Sequence, residues 1–139
     1  MLLFYTDTAN IYRMELQSSP GKEGWPLGYP NDTVSHVIVN DTRVTVLAVD
    51  AVARKVVWYD HFGMNWCNFD GTEREVLFRF AVASYVHGLV VDSSSGQLYL
   101  TDMINNVVLR SDICGKSRHI VAYNRHSQPF RLAISVDNK

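Results

Sequence analysis

An internal repeat constrains the fold of this chain more than any other feature of its sequence. A short apolar or aromatic run ends in an aspartate three times, at Asp7, Asp60 and Asp102, and the last two lie 42 residues apart. A second set of apolar runs keeps the same spacing and ends at Asp50, Asp92 and Ser135. Two independent landmarks with one period of about 42 residues indicate a repeat architecture. The first interval is longer, and we interpret residues 17–32 as an inserted loop.

Four short strands are predicted within each repeat. Valine-rich runs separated by Gly, Asn and Asp favour strands, and no stretch has a convincing helical period. Four antiparallel strands in a unit of this length are typical of a propeller blade, so we predict an all-β fold. A four-stranded meander of another β fold is the alternative. The predicted strands of the middle and following repeats are 44–50, 55–60, 64–69, 73–78, 88–92, 97–102, 107–113 and 119–122.

The composition is that of a globular domain and argues against several functional classes. The chain has 139 residues, of which 47% are apolar and 19% charged, and this allows one domain with a real core. A net charge of −1 gives no reason to expect a nucleic-acid partner, because such proteins usually carry a basic face. No apolar run approaches the roughly 20 residues of a membrane span, and the first residues lack the pattern of a signal peptide.

Three tetrapeptides, FYTD, VWYD and YLTD, end on the repeated aspartates. They resemble the YWTD motif of LDL-receptor class B repeats, and the segments VLAVD, HGLVVD and NFDGTEREVLF are similar to other parts of that repeat. No copy has all four motif letters, Arg131 stands in place of a glycine, and Ser135 in place of an aspartate. The residues that carry the resemblance are Tyr5, Asp7, Trp58, Asp60, Gly88, Tyr99 and Asp102.

The resemblance implies about three four-stranded blades of a six-bladed β-propeller, with repeats of roughly 1–54, 55–96 and 97–139. The first blade would lack its inner strand, and residues 131–135 would form the inner strand of a further blade. We expect the remaining blades to come from the same longer chain. In the alternative, two copies associate head to tail, and residues 131–135 complete the first blade of the partner.

The function that the resemblance implies is extracellular recognition without catalysis or a cofactor. The chain would belong to the ectodomain of an LDL-receptor-related endocytic or signalling receptor, or would be secreted. Its expected partners are a protein ligand or neighbouring EGF-like modules. One alternative is an extracellular-matrix propeller of the nidogen type. Another, less favoured, is a calcium-dependent six-bladed propeller lactonase, which needs Asp, Asn and Glu side chains in its axial channel.

Loops at one edge of the predicted blades supply the candidate ligand-binding residues. Aromatic and cationic side chains on a rigid scaffold are typical of protein recognition. Phe62, Tyr85 and Phe130 have an alternative structural role, which is to fill gaps between blades. Two Asn-x-Thr triplets make Asn31 and Asn40 candidate glycosylation sites. The predicted ligand-binding residues are His61, Phe62, Tyr85, His87, Tyr123, Arg125, His126 and Phe130.

No pattern of residues in the sequence indicates catalysis or metal binding. The histidines lack metal-ligand spacing, and the Ser93–Ser95 run lacks the context of a nucleophile. The repeated aspartates are interpreted as residues that hold turns at strand ends. Cys67 and Cys114 fall on neighbouring repeats whose equivalent strands diverge, which argues against a disulfide between them.

Overall fold

The computed structural model describes residues 1–7, 9–15, 35–40 and 43–135, and these residues form eleven strands in three antiparallel sheets. The first sheet has the order β1-β2-β3, the second β4-β5-β6-β7 and the third β8-β9-β10-β11. The strands are β1 Leu2–Thr6, β2 Ile11–Glu15, β3 Ser35–Val39, β4 Val46–Asp50, β5 Lys55–Tyr59, β6 Gly63–Asn68, β7 Glu75–Arg79, β8 Val86–Asp92, β9 Gln97–Asp102, β10 Val107–Asp112 and β11 Arg118–Tyr123.

Each sheet is a meander of consecutive strands, as a propeller blade requires. The second and third sheets contain all four predicted strands, with ends that differ from the prediction by a few residues. The first sheet consists of the second, third and fourth strands of a blade, as expected. The prediction of an all-β fold with about three blades is therefore confirmed.

Residues 131–135 form no strand, contrary to the expectation for an inner strand. The segment nevertheless lies beside the inner strand β8: the Thr101 hydroxyl donates to the Phe130 carbonyl at 3.3 Å. A Cβ placed on Gly88 would lie 3.0 Å from the backbone nitrogen of Leu132. The position is that of a next inner strand, but the segment is not part of any of the three sheets. A strand is defined by regular hydrogen bonding to a neighbouring strand.

Two apolar cores lie between the blades, one at each junction. Because side chains alternate along a strand, β5 contributes to both: Val56 and Trp58 face the first blade, whereas Val57 and Tyr59 face the third. This explains why β5 reads as a continuous apolar run. The buried residues of the first–second junction are Ile11, Val39, Val44, Val56, Trp58 and Cys67. Those of the second–third junction are Val57, Tyr59, Met64, Phe78, Val86, Leu89, Leu98 and Leu100.

The repeated aspartates hold the turns between the second and third strands of each blade. One carboxylate oxygen of Asp60 accepts from the backbone N–H groups of Phe62 at 3.0 Å and Gly63 at 3.1 Å. Asp7 and Asp102 accept from the corresponding groups two and three residues later. At the opposite edge, Asp50 and Asp92 hold the turns between first and second strands in the same way. Each of these carboxylates accepts hydrogen bonds from the backbone of its own turn, and the turns lie apart from one another.

Acid should destabilise the protein between pH 3.8 and about 2, because these hydrogen bonds favour ionised carboxylates. Hydrogen bonds from Ala9, Tyr12 and Asn10 lower the pKa of Asp7 from 3.8 to about 2, and those from Ser94 and Ser95 do the same for Asp92. A lowered folded-state pKa gives stability that is present above pH 3.8 and is lost as the pH falls toward 2. Urea unfolding at a series of pH values would measure this loss.

Ser94→Ala provides the matched variant for the acid transition. It removes the hydroxyl donor that lowers the pKa of Asp92 most. The Asp92 pKa, followed by NMR of its carboxyl carbon, should rise toward 3.8. An unchanged Asp92 pKa in this variant would contradict the assignment of the shift to these hydrogen bonds.

Candidate functional site

Loops at one edge of the blades contact each other, most of them through hydrogen bonds, and we call this region the loop edge (residues 60–63, 81–87, 102–107 and 123–130). The Met103 amide donates to the Tyr85 carbonyl at 3.0 Å, so the β9–β10 turn contacts the loop that enters β8. The Asn105 side-chain amide reaches the Ala83 carbonyl at 3.2 Å. The Asn124 amide donates to the Asn106 carbonyl at 3.1 Å, which adds the segment after β11. The loops thus form one connected surface.

Five aromatic rings form a continuous line across the loop edge, which we call the aromatic row. It runs from the second blade into the third and ends on the segment after β11. Ring centroids are 5.6 Å apart for Tyr59–His61, 5.7 Å for His61–Tyr85, 4.9 Å for Tyr85–His87 and 4.4 Å for His87–Phe130. The last pair is stacked, with 21° between the ring planes. Offset and edge-to-face contacts at such distances favour a fixed arrangement of the rings.

Polar contacts fix the end of the row that lies in the second blade. The Tyr59 hydroxyl donates to the Ser84 carbonyl at 2.7 Å and so ties β5 to the loop before β8. Burial raises the pKa of Tyr59, with further contributions from the charges of Asp102 and Asp60. The His61 Nε2 lies 3.0 Å from the Thr45 hydroxyl. Because its pKa is raised, the Tyr59 hydroxyl remains a neutral hydrogen-bond donor at physiological pH.

His61 occupies a backbone conformation that non-glycine residues rarely adopt. Its φ is 71°, in the left-handed region. The turn Asp60–Gly63 is two residues shorter than its counterpart in the third blade, and the backbone must reverse within that shorter span. Strained residues of this kind cluster at functional sites. The left-handed backbone at His61 directs its imidazole into the aromatic row, and Phe62 lies at the tip of the turn.

Asp102 holds the loop that carries Tyr85, a member of the aromatic row. Its carboxylate is buried and accepts from the Tyr85 amide at 3.3 Å, as well as from its own turn. Burial by itself would raise the pKa of Asp102, but hydrogen bonds from Asn105, Ser84 and Tyr85 outweigh it and lower the pKa. An ionised Asp102 therefore holds the β9–β10 turn and the start of the β8 loop together. Its role is to position the loop edge.

The structure brings four of the eight predicted ligand-binding residues together: His61, Tyr85, His87 and Phe130 are all members of the aromatic row. Phe62 is 69% exposed beside it. Tyr85 and His87 are half-buried, so they also pack between the loops, which is part of the alternative role considered for Tyr85. Tyr123, Arg125 and His126 are exposed on the same edge. Within the described part of the chain, no ring contact or side-chain hydrogen bond joins these three to the row.

Sequence reasoning missed Tyr59 and Thr45 as parts of this surface. The sequence places Tyr59 in the apolar run before Asp60. A side chain at that position can also point toward the next blade. No local signal marks Thr45, because its contact with His61 joins residues 16 positions apart. Of the glycosylation candidates, Asn40 is exposed directly after β3, and Asn31 lies outside the described residues.

The cysteines are both free and lie in different environments. Cys67 is buried in the first–second junction, and burial raises the pKa of its thiol to about 11. Cys114 is exposed at the turn after β10. The described ranges contain no group of three or more His, Cys, Asp or Glu side chains placed to hold a metal ion. They also contain no helix with the length and apolar character needed to cross a bilayer.

Comparisons with known proteins agree with the fold. No protein-family model matches the chain. It is 30% identical over 98 residues to Protein cueball of Drosophila sechellia and of Drosophila simulans, which covers 66% of this chain and 15% of those proteins. Protein cueball of Drosophila ananassae is 26% identical over 144 residues, covering 97% of this chain and 21% of that protein. The chain thus spans about a fifth or less of these relatives.

A solved structure shares the arrangement of blades. One chain of the crystal structure of a nidogen/laminin complex superposes with a TM-score of 0.75 at 24% sequence identity. The match covers 94% of this chain and 47% of that chain. The three sheets therefore correspond to part of a β-propeller.

Proposed function

We propose that this chain is part of an extracellular, non-catalytic recognition module that binds a protein ligand through its loop edge. The aromatic row is the observation that carries the proposal. A line of rings fixed by mutual contacts loses little conformational freedom on binding, which lowers the entropic cost of association. Exposed Phe62 beside the row is of a residue type enriched in protein interfaces. Tyr123 and Arg125, further along the edge, are of types enriched among binding hot spots.

The host protein that we propose is an LDL-receptor-related endocytic or signalling receptor, in which EGF-like modules would flank the propeller. Three YWTD-like segments in register support this proposal. The distant similarity to Protein cueball is compatible with it. An extracellular-matrix propeller is the second candidate, and the fold shared with a chain of the nidogen/laminin complex favours it. The two candidates differ in whether laminin is a ligand.

The lactonase alternative finds little support in the inner strands. A calcium site in a propeller channel would need free oxygen ligands, since Ca²⁺ takes six to eight of them. The aspartates at the ends of β4 and β8 are instead occupied by turns: Asp50 accepts from Val52 and Ala53, and Asp92 from Ser94 and Ser95. We therefore propose binding rather than catalysis.

Replacing either Phe62 or His87 by alanine should weaken ligand binding by about tenfold or more, because truncating a hot-spot residue costs about 2 kcal/mol or more and each ~1.4 kcal/mol is tenfold in affinity. The test is surface plasmon resonance of the full chain against a panel of purified extracellular proteins that includes laminin. Phe62→Ala removes an exposed ring at the turn tip. His87→Ala breaks the row between Tyr85 and Phe130.

Lys116→Ala is the matched control, because Lys116 is exposed in the turn between β10 and β11, at the opposite edge. Its affinity should equal that of the unsubstituted chain. Binding that survives both loop-edge substitutions, or that Lys116→Ala weakens equally, would contradict the proposed site. Laminin among the ligands would favour the matrix candidate over the receptor.

A further inference from the structure

A cleft between the first and second blades lies at the edge opposite the loop edge. It is lined by β2 of the first blade and by the turns β4–β5 and β6–β7 of the second. Its volume of about 430 Å³ falls within the range of roughly 300–1,000 Å³ that is usual for ligand pockets. We call it the arginine cleft, and its lining residues are Arg13, Ala53, Arg54, Asn68, Phe69 and Asp70.

Two guanidinium groups line the arginine cleft without an anionic partner. Arg13 is half-buried and Arg54 is exposed, and neither forms a salt bridge or a side-chain hydrogen bond within the described ranges. The Asp70 carboxylate in the same lining accepts instead from the Thr72 hydroxyl at 2.6 Å and amide at 3.0 Å. These hydrogen bonds lower the pKa of Asp70, and the more distant charge of Arg13 adds to the effect. The donors of both arginines therefore remain available to a ligand.

Arg54 has a backbone conformation that is occupied by glycine at the corresponding position of the third blade. It stands four residues after Asp50, as Gly96 stands four residues after Asp92, and both aspartates hold their turns in the same way. The φ of Arg54 is 55° and that of Gly96 is 66°. This region is unfavourable for a residue with a Cβ. Since the turn itself would accept glycine, the arginine is explained better by a role of its side chain, and strained residues cluster at functional sites.

The Arg54 side chain is held in place by an aromatic ring. Its guanidinium carbon lies 5.1 Å from the centroid of the Phe69 ring. Phe69 packs in turn against Phe4 of the first blade, with 4.7 Å between the ring centroids. A guanidinium over an aromatic ring gains a cation–π contact and loses orientational freedom. The cleft thus holds one of its two cations before any ligand arrives, which lowers the entropic cost of binding.

We propose that the arginine cleft binds a carboxylate of an acidic peptide segment, with Arg13 and Arg54 as donors from neighbouring blades. Guanidinium groups match a carboxylate through two parallel hydrogen bonds, and these charge-assisted bonds are the strong ones. Local charge favours a single carboxylate over a polyanion. Asp70 in the lining and Glu73 in the same turn would repel the further charges of a sulfated glycan.

The site is separate from the ligand-binding surface proposed at the loop edge, because the two lie at opposite edges of the blades. Phe62→Ala and His87→Ala should therefore leave carboxylate binding at the arginine cleft unchanged. Failure of the loop-edge proposal and failure of this one are distinguishable by these two variants. Loss of carboxylate binding in either of them would overturn the placement of the site in the arginine cleft.

The test is a titration of the full chain, with isotope-labelled arginine, by the peptide acetyl-Gly-Gly-Glu-Gly-Gly-amide. NMR should show saturable shifts of the Nε–H resonances of Arg13 and Arg54. The matched peptide with glutamine in place of glutamate should bind about tenfold more weakly or more, because its hydrogen bonds are not charge-assisted. Unshifted resonances of both arginines, or equal binding of the two peptides, would overturn the proposal.

Arg54→Gly removes one guanidinium without straining the turn, since Gly96 occupies the equivalent position. Affinity for the glutamate peptide should fall about tenfold or more, because a hydrogen bond to a charged group is lost. Circular dichroism should show that the variant keeps its fold. Arg13→Gln should weaken binding in the same way, with the Arg54 resonance as the reporter. Affinity that is unchanged in both variants would overturn the site.

Arg110→Gln is the matched control. Arg110 stands in β10 at the position that Arg13 has in β2, but it is exposed and does not line the arginine cleft. Its replacement should leave the affinity for the glutamate peptide unchanged, and an equal loss in this variant would show non-specific attraction to positive charge. A sulfated heparin disaccharide that binds more tightly than the peptide would overturn the choice of a carboxylate ligand.

Discussion

Trp58→Ala should lower the free energy of unfolding by about 3–5 kcal/mol, the range observed when a large buried aromatic side chain is truncated. Trp58 is fully buried between the first and second blades, among Ile11, Val39, Val56 and Cys67. The surrounding strands belong to two sheets and cannot collapse into the cavity together. Since a domain of this size has roughly 5–15 kcal/mol of stability in total, the first blade should separate from the second under mild conditions.

Urea denaturation followed by circular dichroism would measure the loss, with Phe62→Ala as the control. Phe62 is also aromatic but is 69% exposed, and its replacement should change stability by less than about 0.5 kcal/mol. Equal losses for the two variants would contradict the assignment of Trp58 to a junction core. Trp58→Phe should be better tolerated, because the buried indole N–H has no acceptor among the described residues.

Gly71→Ala is expected to cost about 2–4 kcal/mol. Part of the cost is the left-handed backbone at φ +86°, which disfavours a residue with a Cβ by about 1–2 kcal/mol. The rest comes from overpacking, since the new methyl group would lie 2.2 Å from the Ile38 carbonyl oxygen and that neighbour is backbone. The blades must move apart to accommodate it. Thermal or urea unfolding of the purified variant would provide the value.

Gly96→Ala separates the two contributions to this cost. Gly96 has φ +66°, similar to that of Gly71, but a Cβ there would have no atom within 4 Å. It should therefore cost only the conformational part, about 1–2 kcal/mol. If Gly71→Ala costs no more than Gly96→Ala, the close approach between blades does not contribute to stability. Hydrogen exchange of the β3 amides should also increase in Gly71→Ala alone.

The sequence predicted the fold well where the signal is local and repeated. The apolar runs before Asp60 and Asp102 became β5 and β9, and both aspartates hold the following turns. Residues 131–135 carry the same apolar pattern, yet they are not a strand, because a strand depends on a hydrogen-bonded neighbour as well as on its own residues.

The candidate site was predicted in composition but not in arrangement. Loop position and residue type were enough to propose His61, Tyr85, His87 and Phe130. They could not distinguish these four from Tyr123 and His126, which lie on the same edge apart from the row. Ring contacts depend on the offset between neighbouring blades, and the sequence pattern does not contain that offset. Tyr59 and Thr45 were missed for the same reason.

The sequence by itself determined the repeat, the four-stranded unit, the all-β class and the residues that hold the turns. Each of these follows from interactions within a few residues or across one hairpin, and the same residue pattern recurs in every repeat. Only the tertiary structure decided which junction Trp58 and Tyr59 each face, that Gly71 contacts the backbone of Ile38, and that the aromatic row crosses two blades. These features depend on how one twisted sheet packs on the next, which is set by the sum of many contacts between residues distant in the chain.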